Sequence, residues 1–233
     1  MPEIDVSVVI PAYDEEDFVR VALDSVASQT LPASQLEVIV VANGCTDRTP
    51  EVVCAFAAEA PGLAVRLIEE PQSGVSRAKN TGAEAARGEV VIFLDADSRM
   101  APDLAEKILE RARGGERAAS IWMKADSPDL LDRGFFNLIE YGKRLVRVRA
   151  NMLWCSRSLL LSTGGFDESL QHAEDRELLS RFKRRGVVVG HVTESWIATS
   201  PRRLHRLPFR LGLLTTLGRW GLGNFGIGRR WSY

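Results

Sequence analysis

The chain has 233 residues, 45% of them hydrophobic and 26% charged, the proportions of a soluble globular protein with a real core. Those proportions exclude a disordered chain, a collagen-like chain and a small disulfide scaffold. The net charge of −1 conceals an asymmetry: residues 201–233 carry seven Arg and no acidic side chain, while residues 1–200 hold 23 basic against 31 acidic ones. An acidic body thus bears a basic tail, which suggests an anionic partner for the tail.

Cys45, Cys54 and Cys155 are odd in number and scattered. They offer neither a disulfide framework nor a zinc spacing, and they indicate a reducing compartment. Residues 1–10 are too acidic and too briefly apolar for a signal peptide. No run of about 18 uninterrupted apolar residues occurs; the nearest, residues 209–227, is broken by Arg210 and Arg219. The expected location is the cytoplasm.

Residues 6–10 and 36–42 are short runs rich in Val and Ile, which predict strands buried on both faces, as in a parallel sheet. Between them Phe18, Val19, Ala22, Leu23 and Val26 recur at helical spacing. Asp14, Glu15, Glu16 and Asp17 precede that helix, where its dipole favours negative charge. A helix after Thr49-Pro50, a strand over 64–69, a helix over 77–86 and a strand over 89–94 continue the alternation. Strand and helix alternating at this interval define an open α/β sheet. Beyond Asp97 the pattern predicts a helix from Pro102, a strand over 118–123, a helix over 130–146 and a short apolar stretch over 151–155. A helix from Ala173 and a last strand over 187–192 complete it.

The sharpest chemical feature is Val90-Val91-Ile92-Phe93-Leu94-Asp95-Ala96-Asp97. A buried strand delivers two carboxylates at its C-terminal end, where ligands of open α/β sheets bind. Two hard oxygen donors suit Mg²⁺ or Mn²⁺ bridging the phosphates of a substrate. The alternatives are a strand-ending turn with two solvated Asp, and the opening of a haloacid-dehalogenase type phosphatase. The latter is disfavoured because ninety residues of α/β pattern precede the motif. The first strand runs into Pro11-Ala12-Tyr13-Asp14-Glu15 and the second into Asn43-Gly44-Cys45-Thr46-Asp47. Tyr can stack on a base, and Asn or Asp can accept hydrogen bonds from a base or ribose; turn chemistry alone also explains such loops. Arg77 and Lys79, near the start of the helix preceding the carboxylate strand, could meet a diphosphate or a base.

Taken in order, these loops resemble glycosyltransferase family 2, the inverting GT-A fold enzymes that use nucleotide-sugar donors. The opening strand with Pro11-Ala12-Tyr13-Asp14-Glu15 matches the family's first motif, and Asn43–Asp47 stands at its D-G-S-x-D loop. Asp95-Ala96-Asp97 is its D-x-D. Asn151-Met152, Gly164-Gly165-Phe166-Asp167-Glu168 and Glu174-Asp175 match its acceptor half. The resemblance implies a single α/β domain over residues 1–200 with a Rossmann-like, mainly parallel sheet flanked by helices. Residues 1–97 would form the nucleotide-binding half and 98–200 the acceptor half. It implies Asp175 as general base with Glu174 as the neighbouring candidate, and Asp97 with Asp95 as contacts of Mg²⁺ or Mn²⁺. The implied donor contacts are Pro11, Tyr13, Glu15, Asn43, Asp47, Arg77, Lys79 and Asp95, and Gly165 and Phe166 would meet the acceptor.

Two departures stand out. Ala42-Asn43 occupies the place where the family usually has a uracil-contacting Asp; Asn still offers a carbonyl acceptor, so the resemblance continues to favour a UDP-sugar while the departure leaves a GDP-sugar open. Neither His191 nor His205 matches the late metal-binding His of many GT-A enzymes. Thr199-Ser200-Pro201-Arg202-Arg203 resembles a bacterial subgroup with a T-S-x-R-R loop, which implies Arg202 or Arg203 at the diphosphate. Residues 201–233 mix Arg with Trp220, Phe225 and Trp231, a composition suited to the inner face of a membrane, to folding over the site, or to a second subunit. A lipid-linked acceptor rests on that tail. Nucleic acid is disfavoured by the acidic body. A nucleotidyltransferase or a non-catalytic nucleotide-sugar binder is the alternative function.

Overall fold

The Val- and Ile-rich segments of the first half lie side by side at one end of an eight-stranded sheet. The computed structural model describes residues 4–145, 152–170 and 173–205. In chain order its elements are β1 (Val6–Ala12), α1 (Val19–Ala27), a 3-10 turn (Ala33–Gln35), β2 (Leu36–Asn43), α2 (Thr49–Glu59), β3 (Ala64–Glu70), α3 (Val75–Ala85), β4 (Val90–Phe93), β5 (Ser98–Met100), α4 (Leu104–Arg113), β6 (Ala118–Ala125), α5 (Leu130–Leu145), β7 (Leu153–Ser156), α6 (Arg157–Ser162), α7 (Glu174–Arg184), β8 (Gly190–Thr199) and α8 (Arg202–His205). The strand order is β3-β2-β1-β4-β7-β6-β8-β5. The first four strands are mutually parallel; β7 runs antiparallel to β4 and β6, β8 parallel to β6, and β5 antiparallel to β8.

Successive residues of a strand face opposite sides, so each central strand feeds two cores. Val8 and Ile10 join Leu23, Val26, Phe56 and Ile108 on the face covered by α1, α2 and α4. Val9, Ile39 and Val41 join Ala78, Leu160, Leu178 and Phe182 beneath α3, α6 and α7. Covering both faces is why β1 and β2 read as continuous apolar runs. Each fully buried aliphatic side chain stabilises the fold by roughly 1.5–3 kcal/mol. Helix α3 lies close against the sheet at Gly82, where a Cβ would come within 2.3 Å of Val9 Cγ1.

The sheet's lower edge holds one buried charge. Glu37 Oε1 accepts from Ser7 Oγ at 2.6 Å and from the Arg87 backbone N–H at 2.7 Å, and its Oε2 accepts from Arg87 Nε at 2.8 Å. Burial opposes that charge, but the hydrogen bonds from Ser7 and Arg87 outweigh it and hold the carboxyl below its ordinary range.

The expected last strand over 187–192 needs correction. Val188 is exposed, and the strand is Gly190–Thr199. Its pairing with β6 jumps from Val192 to Trp196, so Thr193, Glu194 and Ser195 bulge out of register and interrupt the apolar alternation that marks a strand. The three-residue β5 and the one-and-a-half-turn α6 were not expected. Residues 146 and 151 and the tail from 206 onward, with the expectations placed on them, lie outside the described residues.

Candidate active site

The loops after β1 and β2 form one rigid rim. Asp14 takes a left-handed conformation at φ 49°, tolerable for a short polar side chain, and its Oδ1 accepts from the Thr46 N–H at 2.7 Å. Asp47 answers from the other loop: Oδ2 accepts from the Glu16 N–H at 2.9 Å, and Oδ1 accepts from the Thr49 hydroxyl at 2.6 Å. Burial works against the Asp47 charge, but these bonds prevail and keep its pKa low. Asp47 therefore braces the rim and the start of α2. Tyr13 stands 54% exposed on it. Asn43, at the end of β2, is 4% exposed, and its Oδ1 has no hydrogen-bond partner among the described residues. A buried amide oxygen left open this way wants a donor N–H. Pro11 lies within β1, half-buried, beneath the same rim.

At the end of β4 the chain turns through Asp95 and Asp97, with the Ser98 N–H on the Asp95 carbonyl at 3.0 Å. Asp97 is held by three groups. Arg202 Nε lies 3.1 Å from its Oδ2, and the hydroxyls of Ser98 and Thr199 each lie 3.4 Å from its Oδ1. The same guanidinium pairs with Glu15 and covers the Phe18 ring at 4.1 Å. Arg202 thus gathers Glu15 of the first loop and Asp97 of the fourth strand around one cation. The Arg203 side chain lies outside the described residues.

On the other side of Asp95 sits a partly buried acid pair. Glu174 and Asp175 open α7 after Ala173, a left-handed residue at φ 63°. Lys79, 3% exposed, places its ammonium 2.8 Å from Glu174 Oε1 and 2.7 Å from Asp175 Oδ1. Burial opposes the Lys79 charge, yet Asp175, Glu174 and Asp95 together drive its pKa upward and keep it cationic. Asp175 is raised from 3.8 to about 6, chiefly by burial, against the pull of Lys79 and with Glu174 and Asp95 adding to the rise. Three carboxylates share one ammonium, so a proton on one of them is favoured. Lys79, expected at a diphosphate, lies instead beneath this pair.

The Gly164-Gly165-Phe166 loop supports the acid pair from below. Asn80 of α3 accepts from the Phe166 N–H at 2.7 Å and donates to its carbonyl at 3.0 Å. Gly165 lies at φ +70°, and a Cβ there would come within 2.4 Å of Asn80 Oδ1. Phe166, expected to meet an acceptor, is 2% exposed. Its ring packs edge-on against Phe93 at 4.9 Å and under Lys79 at 5.1 Å. The correction has a simple cause: an aromatic after two glycines can point inward as readily as outward. Arg77 lies at the margin, with Nε 3.0 Å from Glu168.

The residues at β4 fit a hard divalent cation. Asp95 and Asp97 are hard oxygen donors at a strand end, the donor chemistry such an ion takes, and Arg202, which now holds Asp97 at 3.1 Å, would have to release it for the ion to bind. Asp14, Cys45 and Asp47 also bring ligand atoms within 4.8 Å of one another. That group suits such an ion less, because a thiol is soft and both carboxylates already bind the loop backbone. The two described histidines are engaged elsewhere: His191 Nδ1 is 2.8 Å from Ser120 Oγ, and His205 Nε2 is 3.0 Å from Asp132. Reading the sequence missed Asp14, Phe18 and Asn80 as supports of the site. Lys79 carried a usable signal, since it falls on the buried stripe of α3 with Ser76, Ala78, Gly82 and Ala83, where a charge requires acidic partners.

An open, mostly parallel α/β sheet flanked by helices, with acidic side chains gathered at its strand ends, is a GT-A type fold. Residues 7–148 match the family model "Glycosyl transferase family 2", and the chain belongs to that family. It is 44% identical over 92 residues to glycosyltransferase AglE of Haloferax volcanii, an overlap of 40% of this chain and 30% of the relative. With chondroitin synthase of Pasteurella multocida it shares 27% over 197 residues, 78% of this chain and 19% of that protein. The matched region is thus less than a third of the length of these curated relatives. Among solved structures, mannosyltransferase PcManGT from Pyrobaculum calidifontis, in complex with GDP-Man and Mn²⁺, superimposes with a TM-score of 0.70 at 27% identity, covering 92% of this chain and 64% of that one. S. aureus TarS 1-349 in complex with UDP-GlcNAc has the same fold, with a TM-score of 0.70 at 20% identity and coverage of 84% and 58%.

Proposed function

We propose that the protein transfers a sugar, with inversion, from a nucleoside diphosphate donor to an acceptor hydroxyl. The observation that carries this reading is the meeting, around Asp95, of the Asp97 carboxylate and the buried Asp175–Glu174–Lys79 cluster. Inversion in one in-line displacement needs a base on one side of the sugar and charge stabilisation of the leaving diphosphate on the other. Asp175, its proton affinity raised by burial, takes the acceptor's proton. Glu174 and Lys79 hold it in place and in balance. Tyr13 stacks on the donor base, and Asn43 Oδ1 accepts an N–H from it, which suits uracil and also the guanine amide, so UDP is favoured and GDP remains open. Arg202 turns from Asp97 and Glu15 toward the diphosphate, as the resemblance of the Thr199–Arg203 loop to that of the T-S-x-R-R subgroup suggests. Asp97 and Asp95 would hold Mg²⁺ or Mn²⁺, which supplies further neutralisation of the leaving diphosphate. The acceptor read from the tail is lipid-linked.

Calorimetric titration with UDP and GDP, each with and without Mn²⁺, tests the reading. Metal-dependent binding of one diphosphate is expected, lost in Asp97→Ala and retained in Asp175→Asn. Asp175→Asn should lower turnover by roughly 10²–10⁴-fold. Absence of binding to either diphosphate would overturn the donor assignment, and wild-type turnover in Asp175→Asn would overturn the base.

A further inference from the structure

Helix α5 has two unlike faces. Asp132, Phe135, Phe136, Glu140 and Lys143 are buried. Leu130, Leu131, Leu138, Tyr141 and Leu145 stand open, the last of them 86% exposed. At 100° per residue these five share one side of the helix, a stripe about 24 Å long at 1.5 Å per residue. Exposed Arg133 and Arg144 border it along one edge, and no acidic residue lies within its arc. Isolated exposed leucines are ordinary, but a continuous stripe of them marks an interaction surface.

At the head of the stripe, Arg133 helps to line a groove of about 440 Å³ with Arg99, Lys124, Asp126 and Trp196. Asp126 takes the charge of Arg99 at 2.7 Å. Lys124, whose ammonium lies 4.5 Å over the Trp196 ring, and Arg133 make no ion pair among the described residues. The groove is therefore net positive and continuous with the basic edge of the stripe.

We propose that this face, the apolar stripe of α5 with the basic groove at its head, docks the protein on an anionic lipid surface. Leu131, Leu138 and Leu145 enter the acyl boundary, Tyr141 lies at headgroup level, and Lys124, Arg133 and Arg144 meet lipid phosphates. Charge selects this occupant. The segment 206–233 is itself basic without an acidic residue, so it would meet like charge, and a second copy of α5 would bring the same basic border, Arg133 and Arg144, with its stripe. Groove residue Ala125 is in register with Thr199, whose hydroxyl touches Asp97, so docking brings the strand ends to the surface. That last corollary rests on the transferase reading; the docking does not.

Co-sedimentation of the full chain with vesicles tests the proposal, using phosphatidylcholine alone and phosphatidylcholine containing about one-third phosphatidylglycerol. Partition onto the anionic vesicles only, weakened by raised salt, is expected. Lys124→Ala combined with Arg133→Ala should reduce it about 25-fold, near fivefold per charge. Leu138→Ser combined with Leu145→Ser should abolish it while nucleoside diphosphate affinity and thermal melting stay unchanged. Equal binding to neutral vesicles, unaltered partition in both double variants, or a loss seen only when the Arg residues of 206–233 are replaced would overturn the assignment. A wild-type dimer that the Leu variants dissociate would make the stripe a subunit interface instead. Vesicle binding with no diphosphate binding would sink the donor reading and leave the docking intact.

Discussion

A carboxylate at about pKa 6 is half-protonated where most aspartates are fully ionised, and Asp175 is in that position because it is buried against two other acids. A base must be deprotonated to act, so turnover should rise with pH through a limb near 6 and level off above it, which a kcat–pH profile reads directly. Lys79→Met removes the one cation opposing that shift, so the limb should move to higher pH. If the limb stayed put in Lys79→Met, the titrating group would not be Asp175. Asp95 and Asp97 were legible in the sequence because a buried apolar strand must end somewhere, and two acids at its end have few purely structural uses. The partners of these acids were not. Arg202 reaches Glu15 and Asp97 from 187 and 105 positions away, and only the fold brings such residues together.

Among the elements, α3 does the most positioning. Its N-terminal half holds Lys79 under the acid pair and Asn80 on the Gly-Gly-Phe loop, and Gly82 lets the whole helix approach β1 and β2. Gly82→Ala would gain roughly 1 kcal/mol of helix propensity, but its methyl would lie 2.3 Å from Val9 Cγ1. Overpacking of that kind costs about 1–3 kcal/mol, so the variant should melt at lower temperature. Adding Val9→Ala should recover part of the loss, and strictly additive effects would show that the contact is not the cause. The parallel strands β1, β2 and β4 were legible because burial on both faces writes an unbroken apolar run. β8 was misplaced because its pairing with β6 skips three residues, and the bulge put Thr193 and Glu194 where an alternating pattern should have continued. β5, three residues long, is too short to write any period.

Across the molecule, the strand ends form the site while the opposite edge is stitched by the Glu37–Ser7–Arg87 cluster. Because the Glu37 pKa is lowered in the folded protein, its contribution to stability is present above the unfolded value near 4.5 and is lost as pH falls through the folded one. Glu37→Gln should cost roughly 1–3 kcal/mol near neutral pH by urea denaturation and should flatten the acid side of the stability–pH curve. An unchanged acid side would exclude this cluster as its origin. The open α/β architecture was legible from the alternation of elements alone, whereas the antiparallel insertion of β7 between β4 and β6 depends on contacts distant in sequence.

The ion pairs of the site cross the chain in both directions: Lys79, before the Asp95–Asp97 turn, pairs with Glu174 and Asp175 after it, and Arg202, after that turn, pairs with Glu15 and Asp97. Neither half is electrically complete without the other. A chimera that joined residues 1–97 to the second half of a relative would therefore inherit stranded charges at its seam unless the donor sequence supplied both a cation at Arg202 and acids at Glu174 and Asp175. A chimera with its junction near residue 97 should therefore fold stably only when the cation and its acids move together, which thermal melting of matched and mismatched chimeras reads.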